Sequence, residues 1–422
     1  MSFSPPLVAA ATFVVAYLAI VFKVTRPLIL LSLAALVLLL SGTISVQTAV
    51  AAINYNVLGI FFGMMVLAEL FIASKAPDYL AGKVVSRVHT AGMALIAVSV
   101  FAGFISAFVD NVATVLIVAP IAFDIAHRLR TSPVPFIIGI AISSNLQGTA
   151  TMIGDSTSII LATTAKLNFT DFFWMNGRPG IFFAVELGAV AATVVLWYLF
   201  RHLRQPIEFR QSTEVLTWVP TGLLVLLIIA LALTSLLPKR PDYLVGVVVT
   251  GFGLLALLWN TLMGRLPFSF LELDWETFFF LIGVFVLVGS LSATGIVDMV
   301  ADTISGLAGG SVFWAYVSLV FISVLVSAFV DNIPYTIAML PVAQQVAATL
   351  GASPFLMMFG LLIGTSLGGN ITPIGASANV VATGMLRRRG YSVSFGEFVG
   401  IGLPYTMAAV VAAAVMLWIV WS

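Results

Sequence analysis

Ser106-Ala107-Phe108-Val109-Asp110-Asn111 occurs twice in the chain, and its second copy, Ser327-Ala328-Phe329-Val330-Asp331-Asn332, follows 221 positions later. Each copy interrupts a long apolar stretch, so each places an ionisable Asp and an Asn at membrane depth. A charged side chain at the centre of a membrane-spanning helix costs about 2.5–3.5 kcal/mol and marks a functional site by default. A duplicated acid in a duplicated membrane segment predicts an ion-coupled transporter built from two related halves.

The composition indicates a helical protein that spans a membrane several times. Of the 422 residues, 61% are hydrophobic and 8% charged, and the mean hydropathy is +1.15. Apolar runs of roughly 18 residues recur, each long enough to cross a bilayer as a helix. Cysteine is absent, which excludes disulfides and thiol chemistry. The net charge of +1 and the lack of a basic tract predict no nucleic-acid partner.

The internal repeat extends beyond the opening phrase. At the same offset, Pro120 matches Pro341, and Thr151 matches Thr372. A gapless register of this kind predicts two homologous units. We therefore divide the chain into a first repeat (1–205), a linker (206–217) and a second repeat (218–422).

Each repeat is predicted to contain three scaffold spans, a helical hairpin, a broken span and a final span. The segments in the first repeat are 7–22, 27–43 and 55–74 (scaffold 7–74), hairpin 89–127, broken helix 134–166 and span 180–200. Those in the second repeat are 218–237, 241–262 and 276–296 (scaffold 218–296), hairpin 312–350, broken helix 354–386 and span 402–421. The fold class is thus an all-α polytopic membrane protein.

The distribution of lysine and arginine favours hairpins that enter and leave on one side. Each repeat then has five spans, an odd number, so the two are inverted, with both termini outside and the linker cytoplasmic. The outer side receives four of the 18 basic residues: Lys166, Arg178, Lys239 and Arg240. The cytoplasmic side receives the other 14: Lys23, Arg26, Lys75, Lys83, Arg87, Arg128, Arg130, Arg201, Arg204, Arg210, Arg265, Arg387, Arg388 and Arg389. This bias follows the positive-inside rule.

The hairpin tips and the helix breaks carry the candidate chemistry. At both tips the returning helix begins directly after the Asp-Asn pair, so its free N–H groups and positive dipole end face the same place. N-capping by Asp is the alternative role. Corresponding breaks in two repeats indicate a transport site near the midplane, although small residues also allow close helix packing. The candidate substrate- or ion-binding residues are Ser106, Asn111, Thr114, Asn145, Gly148, Thr149, Thr151, Ser327, Asn332, Thr336, Gly369, Asn370, Thr372, Ser377 and Asn379.

Four acids are candidates for proton or ion coupling. Asp110 and Asp331 lie at the two tips, whereas Asp155 and Glu69 occur in the first repeat only. We expect Asp155 either to bind an ion or to cap the second half of the broken helix. Glu69 binds a proton or forms a hydrogen bond as a neutral acid. Glu186 lies near the start of its span and is expected at the membrane interface. No histidine cluster has metal-binding spacing.

With these tips and breaks, the chain resembles the ion transporter superfamily over nearly its whole length. The run Ile153-Gly154-Asp155 and the stretch from Gly368 to Asn379 resemble the ArsB / P-permease branch. That branch includes arsenite efflux permeases and the melanosomal P protein, and NhaD-type sodium/proton antiporters are related. The dicarboxylate branch carries Ser-Asn-Thr at both tips. Asp110 and Asp331 replace the neutral serine, which disfavours a dianionic substrate.

The resemblance implies an elevator mechanism and a homodimer in the inner or plasma membrane. It also implies a small inorganic substrate and association with a cytoplasmic arsenite ATPase. We therefore expect a proton-coupled secondary transporter that exports arsenite or antimonite, with a proton or sodium gradient in place of any cofactor. A sodium/proton antiporter, or an anion transporter of the P-protein or dicarboxylate kind, remains an alternative. An enzyme is not expected, because no nucleophile–base pair or metal cluster is evident.

Overall fold

The computed structural model describes residues 4–22, 24–129, 131–206, 213–237, 240–264 and 266–422. Half of the linker (207–212) lies outside this part of the chain, as do five of the basic residues used in the topology prediction: Lys23, Arg130, Arg210, Lys239 and Arg265. Within it, 19 α-helices form nearly all of the regular structure.

Within the described residues the two repeats have a similar order of helices, ten in the first and nine in the second. Those of the first repeat are α1 (Pro5–Val21), α2 (Pro27–Leu40), α3 (Val46–Ala52), α4 (Tyr55–Ala73), α5 (Ala76–Val85), α6 (Ala91–Ser106), α7 (Asn111–Leu129), α8 (Val134–Gly148), α9 (Ser156–Thr164) and α10 (Ile181–Phe200). Those of the second are α11 (Val219–Thr234), α12 (Leu244–Met263), α13 (Trp275–Ala293), α14 (Ile296–Leu307), α15 (Val312–Ser327), α16 (Asn332–Leu350), α17 (Pro354–Gly368), α18 (Ser377–Arg388) and α19 (Phe395–Trp421). Shifted by 221, α6 and α7 coincide with α15 and α16.

Seven of the described helices are long and apolar enough to cross a membrane, and five further apolar helices are shorter. The prediction of a polytopic helical membrane protein is therefore confirmed. Three short helices, α3, α5 and α14, were not predicted. Neither was the small antiparallel hairpin of β1 (Trp174–Met175) and β2 (Arg178–Pro179). Its turn uses Asn176 and Gly177, both at positive φ, as a two-residue hairpin turn requires.

Equivalent caps start the helical hairpins of both repeats. Thr90 accepts a hydrogen bond from the Met93 amide before α6, and Ser311 accepts one from Trp314 before α15. Thr90 and Ser311 are themselves 221 positions apart. A hydroxyl at the N-cap supplies a partner for an amide that the helix leaves unpaired. The repeated phrase Ser-Ala-Phe-Val-Asp-Asn then ends one helix and begins the next in each repeat.

The two repeats pack against each other reciprocally. Helix α4 contacts α12, and its counterpart α13 contacts α2, the counterpart of α12. Likewise α9 contacts α16 while α18 contacts α7. The last helices of the two repeats, α10 and α19, contact each other. Equivalent helices of the two repeats thus have equivalent neighbours in the other repeat.

The scaffold is held by a close contact between α4 and α12. A Cβ on Gly63 would overlap the carbonyl of Val249, so the two backbones meet directly there. Around this point Thr250 Oγ1 donates to the Gly59 carbonyl at 2.8 Å, and the Gly246 amide donates to Asn56 Oδ1 at 2.7 Å. Small residues that let backbones approach are a common basis of helix association in membranes.

Candidate functional site

The tip of the first hairpin is organised by Asp110. Its Oδ1 accepts hydrogen bonds from the amides of Val112 and Ala113, at 2.9 and 3.3 Å. Asp110 therefore does cap α7, and both capping bonds use the same carboxylate oxygen. The cap fixes the carboxylate at the positive end of the helix dipole, which favours its charged form.

The tip of the second hairpin has the same cap and one additional bond. Asp331 Oδ1 accepts from the Ile333 amide at 3.0 Å, while Oδ2 accepts from Ser377 Oγ at 3.1 Å. Ser377 begins α18, so this bond ties the tip to the second half of the broken span. Among the described residues the equivalent pair, Ser156 and Asp110, forms no such bond. The two acids thus have different surroundings despite the repeat.

Buried hydrogen bonds attach the first tip to the broken span beside it. Asn111 Oδ1 accepts from Ser106 Oγ at 2.9 Å, and the Asn111 carbonyl accepts from Ser144 Oγ at 3.0 Å. A Cβ on Gly148 would overlap Asn111 Oδ1, so a larger residue there would displace the Asn111 side chain. The predicted residues Ser106, Asn111 and Gly148 are therefore brought together.

The second repeat anchors its tip through different residues. Ser327 Oγ donates to the Thr365 carbonyl, and Thr336 Oγ1 lies 3.1 Å from Thr365 Oγ1. Asn332 is also buried, and its carbonyl accepts from Thr336 Oγ1 at 2.7 Å. The predicted residues Ser327, Asn332 and Thr336 thus meet the break of their own repeat. In the first repeat, the Thr114 hydroxyl bonds within its own tip, to the Val109 carbonyl at 3.4 Å.

In each repeat, a threonine and a glycine of the helix break contact the hairpin tip. Thr151 Oγ1 donates to the Ala107 carbonyl, and Thr372 Oγ1 donates to the Ala328 carbonyl, at equivalent positions of the repeat. A Cβ on Gly154 would lie 2.6 Å from the Ser106 carbonyl oxygen. Glycine at each break therefore lets the chain run directly against the end of the hairpin helix, which a larger residue would prevent.

Three asparagines join the two broken spans at the centre of the molecule. Asn145 Nδ2 donates to Asn370 Oδ1 at 2.9 Å and to Asn379 Oδ1 at 3.1 Å. Asn379 Nδ2 in turn donates to the carbonyls of Gly369 and Thr372, both at 2.9 Å. All three side chains are buried, and among the described residues Asn145 Oδ1 has no hydrogen-bond partner. Unpaired buried polar groups are rare, so this oxygen is an unused hydrogen-bond acceptor at the junction of the two breaks.

Asp155 is linked to the opposite repeat through two hydroxyls. Its Oδ2 accepts from Thr157 Oγ1 at 2.6 Å, and Thr157 Oγ1 lies 2.8 Å from Ser366 Oγ. Asp155 occupies the N-cap position of α9 and is 5% exposed. Nearby, the Thr149 carbonyl accepts from Ser158 Oγ at 3.3 Å. The acid that the second repeat lacks thus sits where the repeats meet.

Five carboxylates line one cavity beside the first tip, which we call the acid cavity. Its volume is about 170 Å³, and no Lys, Arg or His is among its lining residues. The carboxylates belong to Glu69, Asp110, Asp155, Glu272 and Asp274. The first three were predicted as coupling residues, and the cavity brings them together. Asp331 is not among its lining residues.

Glu272 and Asp274 were missed in the sequence because they precede a predicted span of the other repeat. Acids at that position are usually anchors at the membrane surface, and Asp274 does cap α13 by accepting from the Thr277 amide at 3.0 Å. Only the packing of the repeats places them beside Asp110. Carboxylates without basic partners can bind protons or cations, so the cavity suits either.

Known proteins support a transport function. Residues 17–364 match the model of the family described as citrate transporter, CitMHS. An uncharacterized transporter of Mycobacterium tuberculosis is 30% identical over 98% of each chain. An uncharacterized transporter of Synechocystis is 27% identical over 99% of this chain and 98% of its own. The P protein of Sus scrofa is 26% identical over 94% of this chain and 57% of its own length.

Solved structures of low sequence identity share the fold. The YdaH transporter of Alcanivorax borkumensis superposes with a TM-score of 0.61 at 15% identity, covering 88% of this chain and 87% of its own. Neisseria gonorrhoeae MtrF, described as one of a class of antimetabolite efflux pumps, gives 0.58 at 14% identity, covering 99% and 95%. The family match, the relatives and the fold agree on a membrane transporter rather than an enzyme. The chain belongs to the citrate transporter (CitMHS) family.

Proposed function

We propose that the protein is a proton-coupled secondary active transporter. The acid cavity is the observation that carries this proposal. Asp110 and Asp155 line it within the membrane domain and adjoin the hairpin tip and the helix break. Carboxylates in such a setting lose and gain protons at a cost set by their surroundings, which is how proton relays in transporters operate.

Alternating access would follow from an inverted arrangement of the repeats. The reciprocal packing of α4 with α12 and α13 with α2 supports a two-fold axis between them. With an odd number of spans in each repeat, that axis lies in the membrane plane. The hairpins and broken helices would move as an elevator against the scaffold, with Asp110 and Asp331 serving opposite sides. A homodimer in the plasma membrane completes this proposal.

Arsenite or antimonite is the substrate that we propose first. Near neutral pH arsenite is an uncharged triol, and the buried amides and hydroxyls around Asn145 can exchange hydrogen bonds with three hydroxyls. Such a substrate needs no basic residue, and none lines the acid cavity. This assignment follows the ArsB / P-permease resemblance, and a cytoplasmic arsenite ATPase is the partner that it implies.

Sodium/proton exchange is a second candidate, because five carboxylates around one cavity also suit a hard cation. Citrate, after which the family is described, is the third substrate to test. Like charges repel, so the acid cavity disfavours a trianion unless a cation or protons neutralise it.

Purified protein in proteoliposomes tests the proposal. Arsenite, sodium and citrate are offered in turn under an imposed pH gradient, and uptake is followed together with internal pH. We expect coupled movement of one substrate with protons, which Asp110→Asn abolishes. The control is Asp302→Asn, since Asp302 is an exposed acid on α14. The proposal fails if no substrate responds to the gradient or if Asp110→Asn transports normally.

A further inference from the structure

A second cavity lies between α6, α8, α10 and α19, and we call it the lateral cavity. Its volume is about 310 Å³, and it shares no lining residue with the acid cavity. Its polar lining comes from Ser99, Ser143, Gln147, Glu186, Thr193 and Tyr405. A carboxyl group thus faces a cavity within the helical bundle that the proposed transport site does not use.

The hydrogen bonds in the lateral cavity leave capacity for a further ligand. Gln147 Nε2 donates to Glu186 Oε2 at 3.2 Å, and Tyr405 Oη donates to Ser143 Oγ at 3.1 Å. Ser99 Oγ is completely buried and has no hydrogen-bond partner among the described residues. A buried hydroxyl without a partner is uncommon in proteins, so Ser99 has an unused hydrogen-bonding capacity at the wall of the cavity.

The second repeat shows that the fold does not need these polar groups. At the offset of 221, Glu186 corresponds to Met407 and Gln147 to Gly368. Ser143 and Ser99 correspond to Gly364 and Val320. Four polar side chains that line the lateral cavity are therefore replaced by apolar residues or glycine in the equivalent helices. Since α15, α17 and α19 pack without them, their presence in the first repeat calls for a role other than packing.

No opposite charge is available to Glu186 from the helices around it. Helices α6 and α8 carry no ionisable side chain. On α10 the other ionisable residue is Tyr198, and α19 contributes Tyr405 and, in its exposed first turn, Glu397. Glu186 is half-buried, and a carboxylate partly removed from water without a cation beside it is costly. A proton is the ligand that removes this cost.

We propose that Glu186 binds a proton in the lateral cavity and that Gln147 transmits its protonation state to the first hairpin tip. The charged carboxylate accepts from Gln147 Nε2, as the structure has it. The neutral acid can instead donate to Gln147 Oε1, once the side-chain amide has turned. Gln147 precedes Gly148, which packs on Asn111 at the tip, so a rotation of the Gln147 amide acts next to the transport site.

The role in transport rests on the proposed function, whereas the protonation of Glu186 can be measured without any substrate. Infrared difference spectra of the full-length protein in lipid vesicles, recorded from acid to alkaline pH, report the C=O stretch of protonated carboxyl groups. We expect Glu186→Gln to remove one titrating band. Gln147→Leu should keep the band and raise its frequency, because a hydrogen bond to the acid is lost. Glu397→Gln, in an exposed position, should leave the band unchanged.

The inference is overturned if the titration spectra of Glu186→Gln and wild type superimpose. Should Glu186→Gln fail to fold, Glu186→Met reads the same band with the residue that the second repeat tolerates at this position. A lost band in a protein that transports none of the tested substrates supports the site and rejects the proposed function. If the protein shows coupled transport but Glu186→Gln leaves the band unchanged, the proposed function is supported and the Glu186 site is rejected. Where transport is measured, Glu186→Gln should also change its pH profile.

Discussion

Asn145 Nδ2 donates to Asn370 Oδ1 at 2.9 Å, and this bond joins the broken spans of the two repeats. Asn370 Nδ2 donates in turn to the Ile142 carbonyl at 3.1 Å. The repeat does not duplicate this pair of asparagines. Ser366 occupies the position equivalent to Asn145, and Thr149 occupies the position equivalent to Asn370. The centre of the site is thus asymmetric in a molecule whose helices are repeated.

Replacement of Asn145 by leucine should destabilise the protein. It removes the donor to Asn370 and Asn379 and leaves their side-chain oxygens buried without partners. Each such group costs about 1–3 kcal/mol. Thermal unfolding in detergent measures the loss, and Gln344→Leu, which changes a half-buried amide on α16, is the control. Equal melting temperatures for the two variants would show that the asparagine bonds contribute nothing to stability.

Gly154→Ala and Gly375→Ala should each separate a hairpin tip from its break. The added Cβ on Gly375 would lie 2.7 Å from the Ala328 carbonyl oxygen, and the contact at Gly154 is as close. Overpacking of this kind costs about 1–3 kcal/mol, and we expect transport to be lost. Transport and unfolding are compared with Gly384→Ala, where a Cβ meets open space. Normal transport in both break variants would argue against a fixed tip–break contact.

Ser377→Ala should weaken coupled transport through Asp331. The substitution removes the hydroxyl that donates to Asp331 Oδ2, and a hydrogen bond to a charged group contributes about 1.5–3 kcal/mol. We expect proton-driven uptake to fall roughly tenfold or more. In the control, Thr383→Ala removes a hydroxyl from the same helix, which bonds to the Asn379 and Val380 carbonyls of that helix. If both variants behave alike, the Ser377–Asp331 bond has no part in coupling.

Gly63→Ala should loosen the scaffold at the contact between α4 and α12. The new methyl group would overlap the Val249 carbonyl on α12, so α4 and α12 must move apart. We expect a lower melting temperature in detergent. Gly251→Ala, on α12 with open space around it, should have no such effect. A stable Gly63→Ala variant would mean that the two helices can separate at little cost.

Glu272→Lys should distinguish a cationic from a neutral substrate. It places a positive charge at the acid cavity, which repels sodium far more than an uncharged triol, most strongly at low ionic strength. Sodium/proton exchange should therefore be inhibited and arsenite transport largely kept. Glu276→Lys makes the same charge change on an exposed residue that does not line the cavity. Equal inhibition by the two variants would indicate a general surface-charge effect.

Much of the architecture could be predicted because local pattern determines it. Continuous apolar runs predicted the long helices, and the repeated Ser-Ala-Phe-Val-Asp-Asn phrase predicted the two hairpin tips. Helices α5 and α14 were missed, since ten to twelve residues with mixed polarity do not form a span. Glu272 was missed for another reason: its own segment resembles an ordinary helix start, and its significance depends on a distant helix.

The sequence by itself determined the membrane class, the two repeats and the chemical types of residue at tips and breaks. Those properties follow from the hydropathy, from the positions of glycine and proline, and from a repeat that aligns at a constant offset. Only the tertiary structure decided that Asn145 meets Asn370, that five carboxylates line one cavity, and that Glu186 meets Gln147. Sequence periodicity indicates which face of a helix is apolar. The helix that covers this face is decided by how the two repeats pack together.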